Sequence, residues 1–373
     1  MMNIIIYLFV TNFLHNHHSI HPSPKNDAML RVLLLSSSSQ EGQKSLYDKN
    51  DESYIWENIR NPKFDIQTLP PSLSHLLSTS QRFANAYNMT EQDIIKYKQQ
   101  YQNSINDMKR KYNYDNIKEG KVKHNVQCMI RYTFGRDPFV CQQCWTYKPI
   151  CVCDRVQVQQ ITKCDYVDKV IIWTHMDEWG RTSNTGSIVG LALGDSWCHV
   201  LMKGLEIHDK MMNDIIINDG NEMIMPIVLW PKIDFDDNLE QEEEWISIKE
   251  IQDIIQKNEN SNDGDDKKHQ MKFVIIAIEG TWRNARRMVK KLPSHVKRLD
   301  LRDALSDVVE SSSILKPLRS QGDGASQSNV CTAEAVVAAL HLFGLSSHGR
   351  DHILGMTRTK IDLVKRFQGK AKI

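Results

Sequence analysis

The chain has 373 residues, 40% hydrophobic and 25% charged, enough for one sizeable core with added segments or for two domains. Its formal net charge of +1 averages an acidic middle against a basic region after residue 280, so charge alone names no partner. Eight cysteines over this length exclude a disulfide-dense scaffold, and the four that cluster point to a metal in a reducing compartment.

Taken in chain order, the apolar run at residues 4–10 is too short to span a bilayer and lacks a basic flank. That excludes a transmembrane helix there, argues against a signal peptide and predicts no membrane partner. MLRVLLLSSSS from Met29 reads either as an organelle presequence or as an alternative start; without such an address the expectation is cytoplasm or nucleus. Residues 1 to about 80 are rich in Ser, Asn, His and Asp with no sustained period, which predicts disorder. A surface helix or arm is predicted over 90–111, and the ordered part opens at residue 126.

Cys141, Cys144, Cys151 and Cys153 have the spacing C-x2-C-x6-C-x-C. Thiolate pairs on short loops can close a tetrahedral structural zinc site, against the alternative of unliganded core thiols. Cys128, Cys164, Cys198 and Cys331 read as apolar fillers.

Strand-like runs at 169–174, 198–202, 226–230 and 273–278, separated by helical or irregular connections, predict an α/β fold with a mainly parallel sheet. Between the third and fourth lies an acidic, Asn-rich segment at about 232–272, read as a solvated insertion with one short helix over 245–255.

After the first strand, Ser183, Asn184, Thr185 and Gly186 lead into an apolar helix at 188–193. Such a helix start offers N–H groups and hydroxyls to a carboxylate or phosphate, and Arg181 adds a planar donor; the plainer reading is an ordinary N-cap. His175 and Glu178 are assigned hydrogen-bonding rather than metal-ligating roles.

The run 273–278 has no polar interruption and reads as a strand buried on both faces. Beyond it Trp282, Ala285, Met288 and Val289 recur at helical intervals, leaving Arg283, Arg286, Arg287, Lys290 and Lys291 to cover the rest. Glu279 therefore stands at a strand-to-helix junction, where ligands bind in open α/β sheets. A carboxylate followed by a cationic helix suggests a general base beside a polyanion; the plainer reading makes Glu279 and Thr281 caps and Trp282 core. The helix N-terminus and nearby arginines are expected to keep Glu279 ionised. Near the C-terminus Thr332 and Glu334 open a helix with the stripe Val336, Val337, Leu340 and Phe343, which by itself reads as packing.

Five motifs in order resemble the DTW-domain family. They are the cysteine cluster, H-x2-E-x2-R-x-SNTG, a strand ending in Trp230-Pro231, E-G-T-W-x2-A-x2-M from Glu279, and T-x-E-A from Thr332. The resemblance runs from about residue 141 to 342 and implies a tRNA-uridine aminocarboxypropyltransferase with a SPOUT-like knotted sheet and helices on both faces. S-adenosylmethionine would be the donor and structural Zn2+ the metal, with tRNA as partner and N3 of a uridine as the acceptor. The resemblance implies 126–368 as the DTW domain, after a terminal segment 1–80 and a helical extension 81–125. It implies Glu279 as catalytic base. Donor contacts would come from Ser183, Asn184, Thr185, Gly186, Pro231, Gly280, Thr281, Trp282, Thr332 and Glu334, and RNA contacts from Arg181, Arg283, Arg286, Arg287 and Arg319. The family's naming Asp is Glu279 here, one methylene longer. A methyltransferase with the same donor, or a non-catalytic zinc-containing RNA-binding protein, are the other classes the residues allow.

Overall fold

The computed structural model describes residues 86–153, 161–217, 224–231, 245–260, 270–301, 304, 314 and 330–368. The expected disordered segment, the presequence with Met29, Arg319 and most of the acidic insertion lie outside the described residues.

Helix α1 (Glu91–Lys111) begins at Thr90, whose side chain accepts from the Asp93 amide while Asp93 reaches back to the Thr90 amide. This capping box stops the chain from fraying where a polar, Gln-rich sequence has little core to hold it. Only Ile94 of the helix is buried, as a surface helix requires. Helix α2 (Gly120–Phe134) runs through the expected boundary at residue 125 and buries Val126, Cys128, Met129 and Ile130. The extension and the domain are therefore joined by a continuous helix.

Then follow β1 (Val167–Thr174), α3 (Gly186–Leu193), β2 (Cys198–Met202), α4 (Glu206–Ile217), β3 (Ile224–Leu229), β4 (Trp245–Ile246), α5 (Ile248–Asn260) and β5 (Lys272–Glu279). The chain continues through α6 (Trp282–Val289), β6 (Lys297–Leu299), α7 (Thr332–Leu342) and α8 (Ser347–Phe367). The six strands lie in the order β2-β1-β5-β3-β6-β4, with every pairing parallel. All four expected strands are present; β4 and β6 are additions at the edge, two and three residues long, too short to show as runs.

Alternation along the central strands explains the unbroken apolar sequence. Val170, Ile172, Phe273, Ile275 and Ala277 pack on one face with α3, α7 and α8, while Ile171, Trp173, Val274 and Ile276 pack on the other with α4 and α6. A strand covered on both faces cannot alternate apolar with polar residues. Among the described residues no helix is long and apolar enough to cross a membrane.

The segment read as a solvated insertion needs correcting. Trp245–Ile246 is a strand, not the start of a helix; it pairs with β6 and closes the sheet edge. In α5, Ile251 is fully buried and the buried Asn258 side chain bonds both ways with the Met271 backbone. The acidic composition hid three buried positions, because a two-residue strand and one helix face leave most of the segment polar. Ile251→Ala should lower unfolding free energy by about 2–5 kcal/mol in denaturant titration; a change within about 0.5 kcal/mol would return this helix to the solvated surface.

Candidate functional site

Parallel pairing sets Thr174 of β1 opposite Glu279 of β5 at the carboxyl ends of adjacent strands. The edge is tied twice: the His175 amide donates to the Glu279 carbonyl at 2.8 Å, and the Gly186 amide donates to Glu279 Oε1 at 2.9 Å. The Thr332 hydroxyl also hydrogen-bonds the Glu279 carboxylate. Glycine is required at 186 because a Cβ there would sit 2.5 Å from Ile172 Cγ2 and 3.1 Å from Glu279 Oε1. This is the close backbone approach that a side chain forbids.

Burial raises the Glu279 pKa above the ordinary value of 4.5, outweighing the Gly186 and Thr332 hydrogen bonds, which lower it. The expectation that a helix end and arginines dominate the proton affinity of Glu279, leaving it ionised and not strongly basic, is corrected in direction. Desolvation is the larger effect: Glu279 is half-buried as a residue, but its carboxylate is shielded from water, whereas the guanidinium groups of α6 face solvent.

The SNTG segment behaves as a built loop. Asn184 Oδ1 accepts from the Ser187 amide at 3.2 Å, Thr185 Oγ1 accepts from the Ala333 amide at 3.2 Å, and no side chain caps α3 at Thr185. Asn184 is the capping side chain, yet its buried Nδ2 has no hydrogen-bond partner among the described residues. A buried amide donor left unmade costs about 1–3 kcal/mol, which marks the place where an acceptor fits. Ser183 lines a cleft of about 310 Å³ with Arg136, Arg181 and Tyr147. Arg181 is committed to an ion pair with the buried Glu178 at 3.0 Å, and burial raises the Glu178 pKa. His175 takes a hydrogen bond from the Asp177 amide and pairs with Asn284 at 3.2 Å, in keeping with a non-metal role.

Pro231 follows β3 at the same edge as Gly280 and Thr281 follow β5. Thr281 caps α6 by accepting from the Asn284 amide. Trp282 departs from the expected core stripe. Ala285, Met288 and Val289 are buried, but Trp282 is 43% exposed and stacks at 5.0 Å on Trp230, with the Arg286 guanidinium 5.8 Å from its ring centre. The first residue of a helix faces sideways to the stripe below it, and Trp230 offers a flat partner there. Arg283, Arg286, Arg287, Lys290 and Lys291 are all exposed, and none has an ion-pair partner among the described residues. Glu334 is fully occupied by the backbone: Oε1 accepts from Ile314 at 2.8 Å and Oε2 from Cys331 at 2.6 Å. The cap of α7 is Cys331, one residue before the expected Thr332, which frees the Thr332 hydroxyl for Glu279.

The four clustered cysteines converge, with all four Sγ atoms within 4.8 Å of one another. Cys141 and Cys153 lie 3.8 Å apart and Cys144 and Cys151 3.6 Å. Tetrahedral zinc with Zn–S of about 2.3 Å needs sulfurs about 3.8 Å apart, so the set fits a closed structural site. Trp145, at φ +57, makes the tight turn after the first pair, and its indole packs 4.9 Å from Trp179. The Thr146 hydroxyl meets Cys144 Sγ at 2.9 Å, the outer contact that steadies a thiolate ligand. Hydrogen bonds from Cys141, Cys151 and Cys153 hold the Cys144 thiol well below its ordinary pKa.

Sequence reasoning missed Lys360. It is fully buried, donates to the Cys144 carbonyl, the Asn184 carbonyl and Ser187 Oγ, and burial pushes its pKa down to about 8. The available signal was a lysine on the apolar stripe of α8, between Met356, Thr357 and Val364.

A family profile described as DTW domain matches residues 138–364, well over half of the chain. The chain belongs to the DTW-domain family. That family is linked to tRNA modification, and the match covers the cysteine cluster, the SNTG loop, Glu279 and α7 together. No curated protein and no solved structure gives a significant match.

In this DTW domain the cysteine site should carry folding free energy. Purified protein should contain one zinc per chain by elemental analysis, and Cys151→Ser should lose it and melt at least about 5 °C lower, a shift of order 1–2 kcal/mol for a chain this size. Zinc-free parent protein with the same melting temperature as Cys151→Ser would show that the thiols are only core.

Proposed function

We propose that this DTW-domain protein transfers the 3-amino-3-carboxypropyl group of S-adenosylmethionine to N3 of a tRNA uridine, releasing methylthioadenosine. The observation that carries the proposal is Glu279: a desolvated carboxylate with one oxygen held by Gly186, at the carboxyl edge of a parallel sheet and beside an exposed cationic helix face. The finer fold assignment, a SPOUT-like knot, belongs to the same proposal and is supported by the parallel order with β5 between β1 and β3.

S-adenosylmethionine, when bound, supplies an electrophilic Cγ beside a sulfonium leaving group. The chain's own residues do the rest. Glu279 takes the N3 proton of uridine; N3 then bonds to Cγ, the Cγ–S bond breaks, and its electron pair stays on sulfur as a neutral thioether. No acid is needed for departure. A raised pKa makes the ionised Glu279 carboxylate a stronger base than an ordinary glutamate, and a positioned general base contributes roughly 10²- to 10⁴-fold. Asn184 Nδ2, without a partner among the described residues, offers a hydrogen bond to the amino-acid end of S-adenosylmethionine. Gly280, Thr281 and Trp282 border the same edge, and the exposed Trp282 face, supported by Trp230, suits a heterocyclic base. Uridine N3 is hidden in a pair, so the base leaves its stack, and Arg283, Arg286 and Arg287 meet the flanking phosphates.

Glu279→Gln should bind S-adenosylmethionine and tRNA nearly as the parent does and turn over at least about 10²-fold more slowly, whereas Glu279→Asp should retain activity. Since only the ionised carboxylate accepts a proton, kcat/KM of the parent should fall as pH drops through a value above 4.5, and this limb should vanish in Glu279→Gln. Turnover of Glu279→Gln at the parent rate would leave Glu279 a structural acceptor for Gly186. Arg286→Ala should weaken tRNA binding and reduce its salt slope by about 1 while donor affinity holds; an unchanged slope would make this face ordinary solvated surface.

A further inference from the structure

A buried ammonium is costly unless each of its three N–H donors finds an acceptor. Lys360 is fully buried, and its acceptors are the Cys144 carbonyl at 2.6 Å, the Asn184 carbonyl at 2.5 Å and Ser187 Oγ at 2.9 Å. No carboxylate ion-pairs with it among the described residues. An apolar side chain of similar length would fill the same space without the desolvation cost, so packing alone does not account for a lysine here.

The acceptors belong to two different segments. Cys144 is one of the four cysteines that would ligate the metal, its Sγ facing the other three sulfurs and its carbonyl taking the lysine. Asn184 and Ser187 frame Gly186, whose amide holds Glu279 Oε1. Ser187 Oγ also donates to the Cys144 carbonyl at 3.1 Å, so one oxygen joins the two segments a second time. We propose that Lys360 is a positioning residue that couples metal occupancy of the four-cysteine site to the geometry of the 183–187 loop.

Physically, the metal fixes Cys144, Cys144 supplies one of the three acceptors that make a buried Lys360 tolerable, and Lys360 then holds Asn184 and Ser187 in place. Removing the metal frees the 141–147 turn, takes one acceptor from a desolvated cation, and loosens the loop that presents Gly186 to Glu279. The coupling itself does not depend on what the loop binds; its consequence for S-adenosylmethionine rests on the function proposed above.

The test is amide hydrogen exchange read by mass spectrometry on the full chain, zinc-loaded and after chelation, in the parent and in Lys360→Met. In the parent, chelation should speed exchange at 183–187 together with 141–147. In zinc-loaded Lys360→Met, residues 183–187 should exchange at least about tenfold faster while 141–147 and the β5 residues 273–278 keep their protection. Chelation of that variant should then add nothing at 183–187, because the coupling is already lost. Parent-like protection of 183–187 in zinc-loaded Lys360→Met, or no response of 183–187 to chelation in the parent, would overturn the proposal, as would acceleration equal across β5, which signals general destabilisation. Should Lys360→Met fail to fold, Ser187→Ala keeps the charge and removes one acceptor. It should show the same local loss in smaller degree, and unaltered exchange in it would also overturn the proposal. Calorimetry with S-adenosylmethionine separates the two readings. A zinc-loaded parent that binds no donor overturns the function, while the exchange comparison still decides the role of Lys360. A parent that binds donor should do so about tenfold more tightly than zinc-loaded Lys360→Met.

Discussion

The parallel register between β1 and β5 is the constraint on which the rest of the site depends. Because Thr174 lies opposite Glu279, the loop leaving β1 must pass over the end of β5, and Gly186 has to come within hydrogen-bonding distance of the carboxylate. Any residue with a Cβ at 186 would collide with Ile172 and Glu279, so strand pairing, loop path and carboxylate position are one geometric problem. Helix α7 closes the same point from above, through Thr332 to Glu279 and the Ala333 amide to Thr185. The edge is assembled from three chain segments distant in sequence, β1 with its loop, β5 and α7, and none of them makes a site alone.

Desolvation then decides the chemistry of that edge. Two hydrogen bonds favour the ionised carboxylate, yet burial outweighs them and raises its proton affinity. The arginines that follow in sequence do not reverse this, because they point outward from α6 into solvent, where their field is screened. Their placement suits them to a separate task, meeting a polyanion that approaches from outside. Carboxylate and cations lie within one strand-helix unit but sit in different dielectric environments.

Much of this was legible in the sequence, for identifiable reasons. Strands buried on both faces announce themselves as apolar runs, so β1, β2, β3 and β5 were readable; β6, reading Lys-Arg-Leu, and the two-residue β4 are too short to carry a pattern. The cysteine spacing was readable because short loops force sulfurs together. Trp282 was misplaced because a helical stripe says nothing about a residue on the first turn, where Trp230 from another strand provides the contact. Glu334 was legible as part of a helix start, but its partners Ile314 and Cys331 were not, and only the folded chain shows that both oxygens accept backbone amides. Lys360 showed in the sequence only as a lysine on an apolar stripe; its partners were unreadable because they are two backbone carbonyls and a serine hydroxyl, groups that carry no sequence pattern.

The most direct measurement of the central claim is product analysis by mass spectrometry after incubating zinc-loaded protein with S-adenosylmethionine and tRNA. The account predicts methylthioadenosine released in step with a tRNA uridine carrying an aminocarboxypropyl group on N3. S-adenosylhomocysteine with a methylated nucleoside, or unaltered tRNA despite tight binding, would contradict it.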